Sequence, residues 1–254
     1  MRFRLLILAL LVSVTATGQS ARPFRDGERF TMSLMFKWGA VNTEVAQADI
    51  RLDSLLYRDE SAYHVNCFVK TAPFFEVFFK MREDFHSWFR TSDLRPLKFT
   101  RDTYEGGYTA TNLYLYDWPA GVIHANVNFE GKGPQVLDIP LHEGVFDLPS
   151  LIYYFRTLDM DSFSRGDRFP FTFAIDDDVY DIVLTYYGKE RLNVRKKGKM
   201  DAVHFSCSVV TGAMFEGNQE VQMWFSDDAR RIPLAIMVPL RWGSIRGWIK
   251  DYQP

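Results

Sequence analysis

Two His-x-x-Cys pairs stand out in this sequence as residues that could do chemistry together: His64 with Cys67, and His204 with Cys207. Two imidazoles and two thiolates would suit a tetrahedral zinc ion. Both pairs lie where apolar and polar residues alternate with period two, and residues three apart on a strand point to opposite faces. Convergence on one ion would need a bulge, so the expectation is packed cysteines and outward histidines, with no metal and no cofactor. The two cysteines could instead form one disulfide, which over so long a loop would contribute on the order of 5 kcal/mol. Their alternating apolar flanks fit buried free thiols equally well, and the sequence leaves both states open.

Other motifs carry less. Asp176-Asp-Asp178 lacks the alternating oxygen ligands and Gly of a calcium loop, and reads as a hairpin turn. His142-Glu143 has no second His four residues on, fails the zincin spacing, and reads as loop surface. The sequence contains no Gly-x-Ser-x-Gly elbow, P-loop, dinucleotide fingerprint or Ser-x-x-Lys. A Cys207 nucleophile is disfavoured, because a reactive thiolate needs a polar, partly exposed site. The expectation is a protein that is not an enzyme. The basic run Arg195-Lys-Lys-Gly-Lys199 could touch acidic headgroups, but its Gly between two strand patterns favours a solvated hairpin tip.

Aromatic residues make up 16% of the chain, with Phe74, Phe75, Phe78, Phe79, Phe85, Trp88 and Phe89 in one cluster. They either fill a wide β core or line a cavity for an acyl chain or other apolar ligand, and the pattern alone leaves both open. If there is a cavity, the candidate ligand-binding residues are Trp38, Phe78, Phe155 and Trp224.

The elements that must position these residues are mostly strands. Phe30, Met32, Leu34, Phe36 and Trp38 share one face, with Met35 the exception, and Ala46, Ala48, Ile50 and Leu52 repeat the pattern. Tyr63, Val65, Cys67 and Val69 make a third such set. Period-two stretches continue to Asn128, with Gly106-Gly107 a strong hairpin cue, and resume from Phe169 to Tyr187 and from Ala202 to Ile249. Pro233 and Pro239 cannot donate to a ladder, which places parts of that strand at an edge or bulge. Between them the Gly131-Lys-Gly-Pro134 stretch reads as a linker. Leu148, Leu151, Ile152, Phe155 and Leu158 then recur at helical spacing, with Asp147 as N-cap and Pro149 in the first turn. The fold class expected is a mostly β protein: a large curled antiparallel sheet or open barrel-like structure with one packed amphipathic helix, or two β halves joined by that helix.

The chain opens with the basic Met1-Arg-Phe-Arg4, an apolar run from Leu5 to Val14, and the small-residue site Ala16-Thr17-Gly18. This reads as a signal peptide over residues 1–18, with a mature start expected near Gln19, because the apolar run is too short to span a membrane. The expected product is a single domain over residues 19–254, exported to the periplasm or beyond, with no transmembrane segment after cleavage. The formal charge of −2 becomes −4 when Arg2 and Arg4 leave with the leader, and nothing points to nucleic acid.

Several stretches together resemble the bacterial envelope family known as domain of unknown function 3108. They are Pro23-Phe-Arg-Asp-Gly-Glu-Arg29, Asp147-Leu-Pro-Ser-Leu-Ile-Tyr-Tyr-Phe-Arg-Thr-Leu158, Tyr187-Gly-Lys-Glu190, Trp224-Phe-Ser-Asp-Asp-Ala-Arg-Arg-Ile-Pro233 and Gly243-Ser-Ile-Arg246. The resemblance implies an exported, predominantly antiparallel protein and brings no catalytic residues. At fold level alone, such a sheet with its concavity closed by a helix is similar to the periplasmic lipoprotein carriers, an analogy that does not fix function. The functional expectation is a non-catalytic envelope module that binds a lipidic or other apolar ligand, with the helix as its lid. The alternative is an interaction protein that docks another envelope component and has no small-molecule site.

Overall fold

The computed structural model describes residues 22–129, 131–209, 220–241 and 243–254, so the leader read over residues 1–18 lies outside it. The first strands are β1 (Arg29–Trp38), β2 (Val41–Tyr57), β3 (Glu60–Thr71), β4 (Met81–Arg90), β5 (Pro96–Glu105), β6 (Tyr108–Asp117), β7 (Val122–Phe129) and β8 (Gly133–Pro140). A short β9 (Val145–Phe146) leads into α1 (Leu148–Arg156). The chain continues through β10 (Arg168–Ile175), β11 (Asp178–Val194), β12 (Gly198–Val209), β13 (Val221–Ser226), β14 (Pro233–Pro239) and β15 (Ser244–Gln253).

All fifteen strands belong to one open sheet. β1 pairs with β15 at its middle, the hairpins out to β8 run one way, and β15 back to β9 runs the other. Every pairing is antiparallel except β9 with β10. The sheet curls until β8 approaches β11, and α1 lies within the curl, touching β3, β4 and β10. The two-halves alternative is thus set aside, since a continuous ladder rather than a helix joins them. Among the described residues no helix is long and apolar enough to cross a membrane.

The period-two reading has its exceptions where the ladder slips. Met35 is buried because the register shifts between Leu34 and Met35, a bulge that moves it off the polar face. The Gly131–Pro134 linker is a correction: β8 begins at Gly133, whose φ of 72° turns the chain into the strand. Tyr187 does not end β11, because the ladder shifts register at Gly188, φ 115°, and runs on to Val194. Of the edge or bulge expected at Pro233 and Pro239, the structure has the bulge and not the edge. β14 is flanked on both sides, and its prolines are its first and last residues, with a register shift opposite Pro233.

The nine-residue α1 is too short to persist on its own, and its ends and one face are built to be held. Asp147 caps Ser150 N–H at 2.9 Å, the Ser150 hydroxyl accepts from Asp147 N–H, and Pro149 sits in the first turn. Leu151, Tyr153, Phe155 and Arg156 are buried, whereas Leu148 is 41% exposed. Because Arg156 and Asp147 anchor both ends to the sheet, the helix is a fixed plug. That corrects its expected role as a lid.

Candidate functional site

Strand alternation turns Ile182 and Leu184 of β11, Cys207 of β12, Met223 and Phe225 of β13, and Ile236 and Val238 of β14 toward α1. They meet Leu148, Leu151, Ile152 and Phe155 of the helix around a cavity of about 270 Å³. Among the described residues every side chain lining it is apolar, the Cys207 thiol included. Phe155 forms its floor, packing edge-on against Phe205 at 4.6 Å and tilted against Phe225 at 5.2 Å. A second hollow of about 420 Å³ lies nearby, lined by Leu34, Phe36, Ala46, Phe75, Phe78, Phe79 and Ile245, with Thr71 and Glu105 at its polar margin. The two abut: Val238 lines the first and its register partner Ile245 the second. The second lies within the size range of small-molecule sites, about 300–1,000 Å³, and the first just below it.

The four candidate ligand-binding residues do not converge. Phe155 lines the first cavity and Phe78 the second. Trp38 stands at the end of β1, 56% exposed. Trp224 lies between the inward Met223 and Phe225, so its ring falls on the outer face, stacked on His204 at 4.5 Å with its indole N–H on Glu190. Period two could have found Met223, Phe225 and Val238 as partners of Phe155. The sign of the curl, which decides which face is inside, is not written in any one strand.

The two His-x-x-Cys pairs split across the sheet. His64 Nε2 lies 2.9 Å from His86 Nδ1, with Trp88 stacked on His64 at 4.5 Å, while His204 faces Gln222 at 2.8 Å. Burial and the neighbouring His86 lower His64 to about 4. Cys67 and Cys207 are free thiols, pushed by burial up to about 12 and about 11, so neither is poised as a thiolate.

Several polar groups inside the curl are tied to one another. Glu83 accepts from the Thr103 hydroxyl at 2.7 Å, and burial raises its pKa. Arg101 Nη1 donates to Asp176 at 2.7 Å, and the Tyr114 hydroxyl donates to the Asp176 carbonyl at 2.6 Å. The Asp176–Asp178 stretch is the hairpin turn that the sequence indicated, with Asp176 at φ 56°, and it also staples the far end of the sheet to β5 and β6. Asp147 receives the Ser87 hydroxyl of β4 at 2.9 Å, and burial pushes its carboxyl up to about 6 against these hydrogen bonds. Sequence reading missed Glu28 and Arg156 as a pair. Their only signal was an arginine at a helical position otherwise facing the core.

A search among curated proteins finds no match. Among solved structures, the fold is similar to the crystal structure of a β-barrel-like protein of domain of unknown function DUF1849 from Brucella abortus. That likeness has a TM-score of 0.56 at 10% identity and covers 90% of this chain and 97% of the other. It extends to the fold alone. The model of the family described as protein of unknown function (DUF3108) matches residues 29–249, the span from the start of β1 almost to the end of β15. The chain belongs to the DUF3108 family.

Proposed function

We propose that this protein is a non-catalytic module of the bacterial envelope, exported on its residue 1–18 leader and working in the periplasm, where it binds a lipidic or other apolar ligand. The observation that carries this reading is the cavity against α1, about 270 Å³ and lined, among the described residues, by apolar side chains alone. Each CH₂ moved from water into such a site contributes about 0.8 kcal/mol, so half an acyl chain gives useful affinity without a polar anchor. Selectivity on this basis follows girth and length rather than headgroup chemistry.

The test is titration with a fluorescent fatty acid. Saturable uptake, reversed by unlabelled fatty acid and weakened by Val238→Trp in a variant with an unchanged circular dichroism spectrum, supports the reading. No saturable uptake by the wild-type chain would hand the case to the alternative, an interaction protein with no small-molecule site.

A further inference from the structure

Four strand connections, β1–β2, β3–β4, β5–β6 and β14–β15, emerge at one rim of the sheet and belong to eight consecutive strands in its order. They form one unbroken sector. This sector carries large apolar side chains that no core uses: Phe74 is 74% exposed, Val77 86% and Phe78 78%, joined by Trp38 and Leu240. An apolar grouping of this kind marks an interaction surface.

Their exposure is enforced by the backbone. In the β3–β4 connection, Ala72 N–H donates to the Val45 carbonyl and Met81 N–H to the Thr71 hydroxyl, both at 2.8 Å, and Glu76 pairs with Arg82. Phe79 lies against Gly106, where a Cβ would come within 2.7 Å of its ring. In the β14–β15 connection, a Cβ at Gly243 would collide with the Lys37 carbonyl oxygen, which locks the Leu240 tip beside Trp38. Phe74, Val77 and Phe78 are therefore held outward on a fixed ledge.

Three lysines stand among the projecting apolar side chains. Lys37 adjoins Trp38, and Lys70 and Lys80 bracket the ledge. None of the three has a carboxylate partner among the described residues, and the Lys80 ammonium sits over the Tyr104 ring at 5.4 Å. Of the nearby acids, Glu76 is taken by Arg82, Glu44 lies near Arg195, and Glu105 stands at the margin of the second hollow. The acidic Asp176–Asp178 turn shares the rim beside β5 and β6, with Asp176 on Arg101 and Asp177 on Lys132. Projecting aromatics backed by unpaired lysines are the chemistry that binds an interface between acyl chains and anionic headgroups.

The geometry points to this rim as a docking surface for an anionic lipid layer, with Phe74, Val77, Phe78 and Trp38 inserted and Lys37, Lys70 and Lys80 on the headgroup phosphates. This goes beyond the ligand-binding reading and does not require it. The two meet at the second hollow, which has Phe78 and Leu240 in its wall and so opens where the lipid would be.

The experiment is co-sedimentation of the mature chain with vesicles of phosphatidylcholine alone and of phosphatidylcholine mixed with phosphatidylglycerol. The wild type should pellet with the mixed vesicles and far less with the neutral ones. Phe74→Ser with Val77→Ser, neither of which lines a cavity, should weaken partition at least about tenfold, and Lys70→Glu with Lys80→Glu by about fivefold per lysine. Val136→Ser, which removes an exposed apolar residue on β8, should change nothing. Fatty-acid titration of the rim variants should match the wild type, so that a failure of docking and a failure of cavity binding are told apart. Wild-type protein left in the supernatant with both vesicle types overturns the proposal. So does equal pelleting by the rim variants, or sedimentation velocity showing that the rim instead seats a second copy of the chain.

Discussion

Arg156 grips Glu28 with both terminal nitrogens, at 2.7 and 2.8 Å, and neither side chain has any exposed surface. The Tyr153 and Tyr252 hydroxyls donate to the same carboxylate, each at 3.2 Å, and the Pro23 and Arg230 carbonyls accept from the guanidinium. Phe24 and Tyr153 lie against its face. One ion pair thus joins the entry to β1, the end of α1 and the end of β15.

Removing either partner strands a charge in a fully buried site. Arg156→Met or Glu28→Gln should each cost about 3–5 kcal/mol in chemical denaturation. The double change Glu28→Leu with Arg156→Met should cost clearly less than the two singles together. A single-variant loss below about 1 kcal/mol would show that water reaches the pair.

Phe155 packs on Phe205 and Phe225 and floors the first cavity. Phe155→Ala should destabilise by about 3–5 kcal/mol, because α1 cannot move inward while Arg156 and Asp147 hold it. A loss of less than about 1 kcal/mol would mean that the helix resettles and is less fixed than its anchors imply.

Asp147 sets a pH dependence. Its folded pKa of about 6 lies above the usual unfolded value of about 3.9, so the folded state binds the proton more tightly. The stability from this group is full below about 4 and falls as pH rises through about 6. Asp147→Asn keeps the N-cap and cannot ionise, so urea midpoints of the wild type should drop relative to this variant between those values. Parallel curves would mean that the carboxyl is hydrated.

His64 works in the opposite sense. With its pKa lowered to about 4, the ring stays neutral in the fold, and the stability it contributes is full above about 6.5 and declines as pH falls toward 4. Imidazole resonances followed by NMR should show one histidine titrating near 4. If His64→Gln removes no such transition, the assignment fails.

Export is testable by intact mass. Protein recovered from the periplasm should begin near Gln19 and carry no acyl mass, because no cysteine stands at the cleavage site. Retention of Met1 would sink the periplasmic reading.

The sheet and its helix were legible because alternation and helical spacing are local properties. Phe30 to Phe36 and Leu151 to Phe155 each show them within a few residues. Strand ends were legible where glycine pairs turn the chain, as at Gly106-Gly107, but not at Arg58-Asp59, where two ordinary residues adopt φ 49° and 65°. The cavity was half legible. Phe155 could be named from its helix, but Val238 and Met223 become its neighbours only through the order of strands. The Glu28–Arg156 pair was hidden altogether, since a charged residue carries no address for a partner 128 positions away.

The pairing of β1 with β15 also decides the order of assembly. The middle of the sheet is made by its first and last strands, so until β15 pairs with β1 the two wings have hairpins but no seam, and β1 keeps a bare edge. Most folds lose a terminal strand as fraying at a margin. Deleting β15 here would cut the molecule through its centre, and until that strand arrives the chain remains a substrate for chaperones and proteases rather than a finished domain.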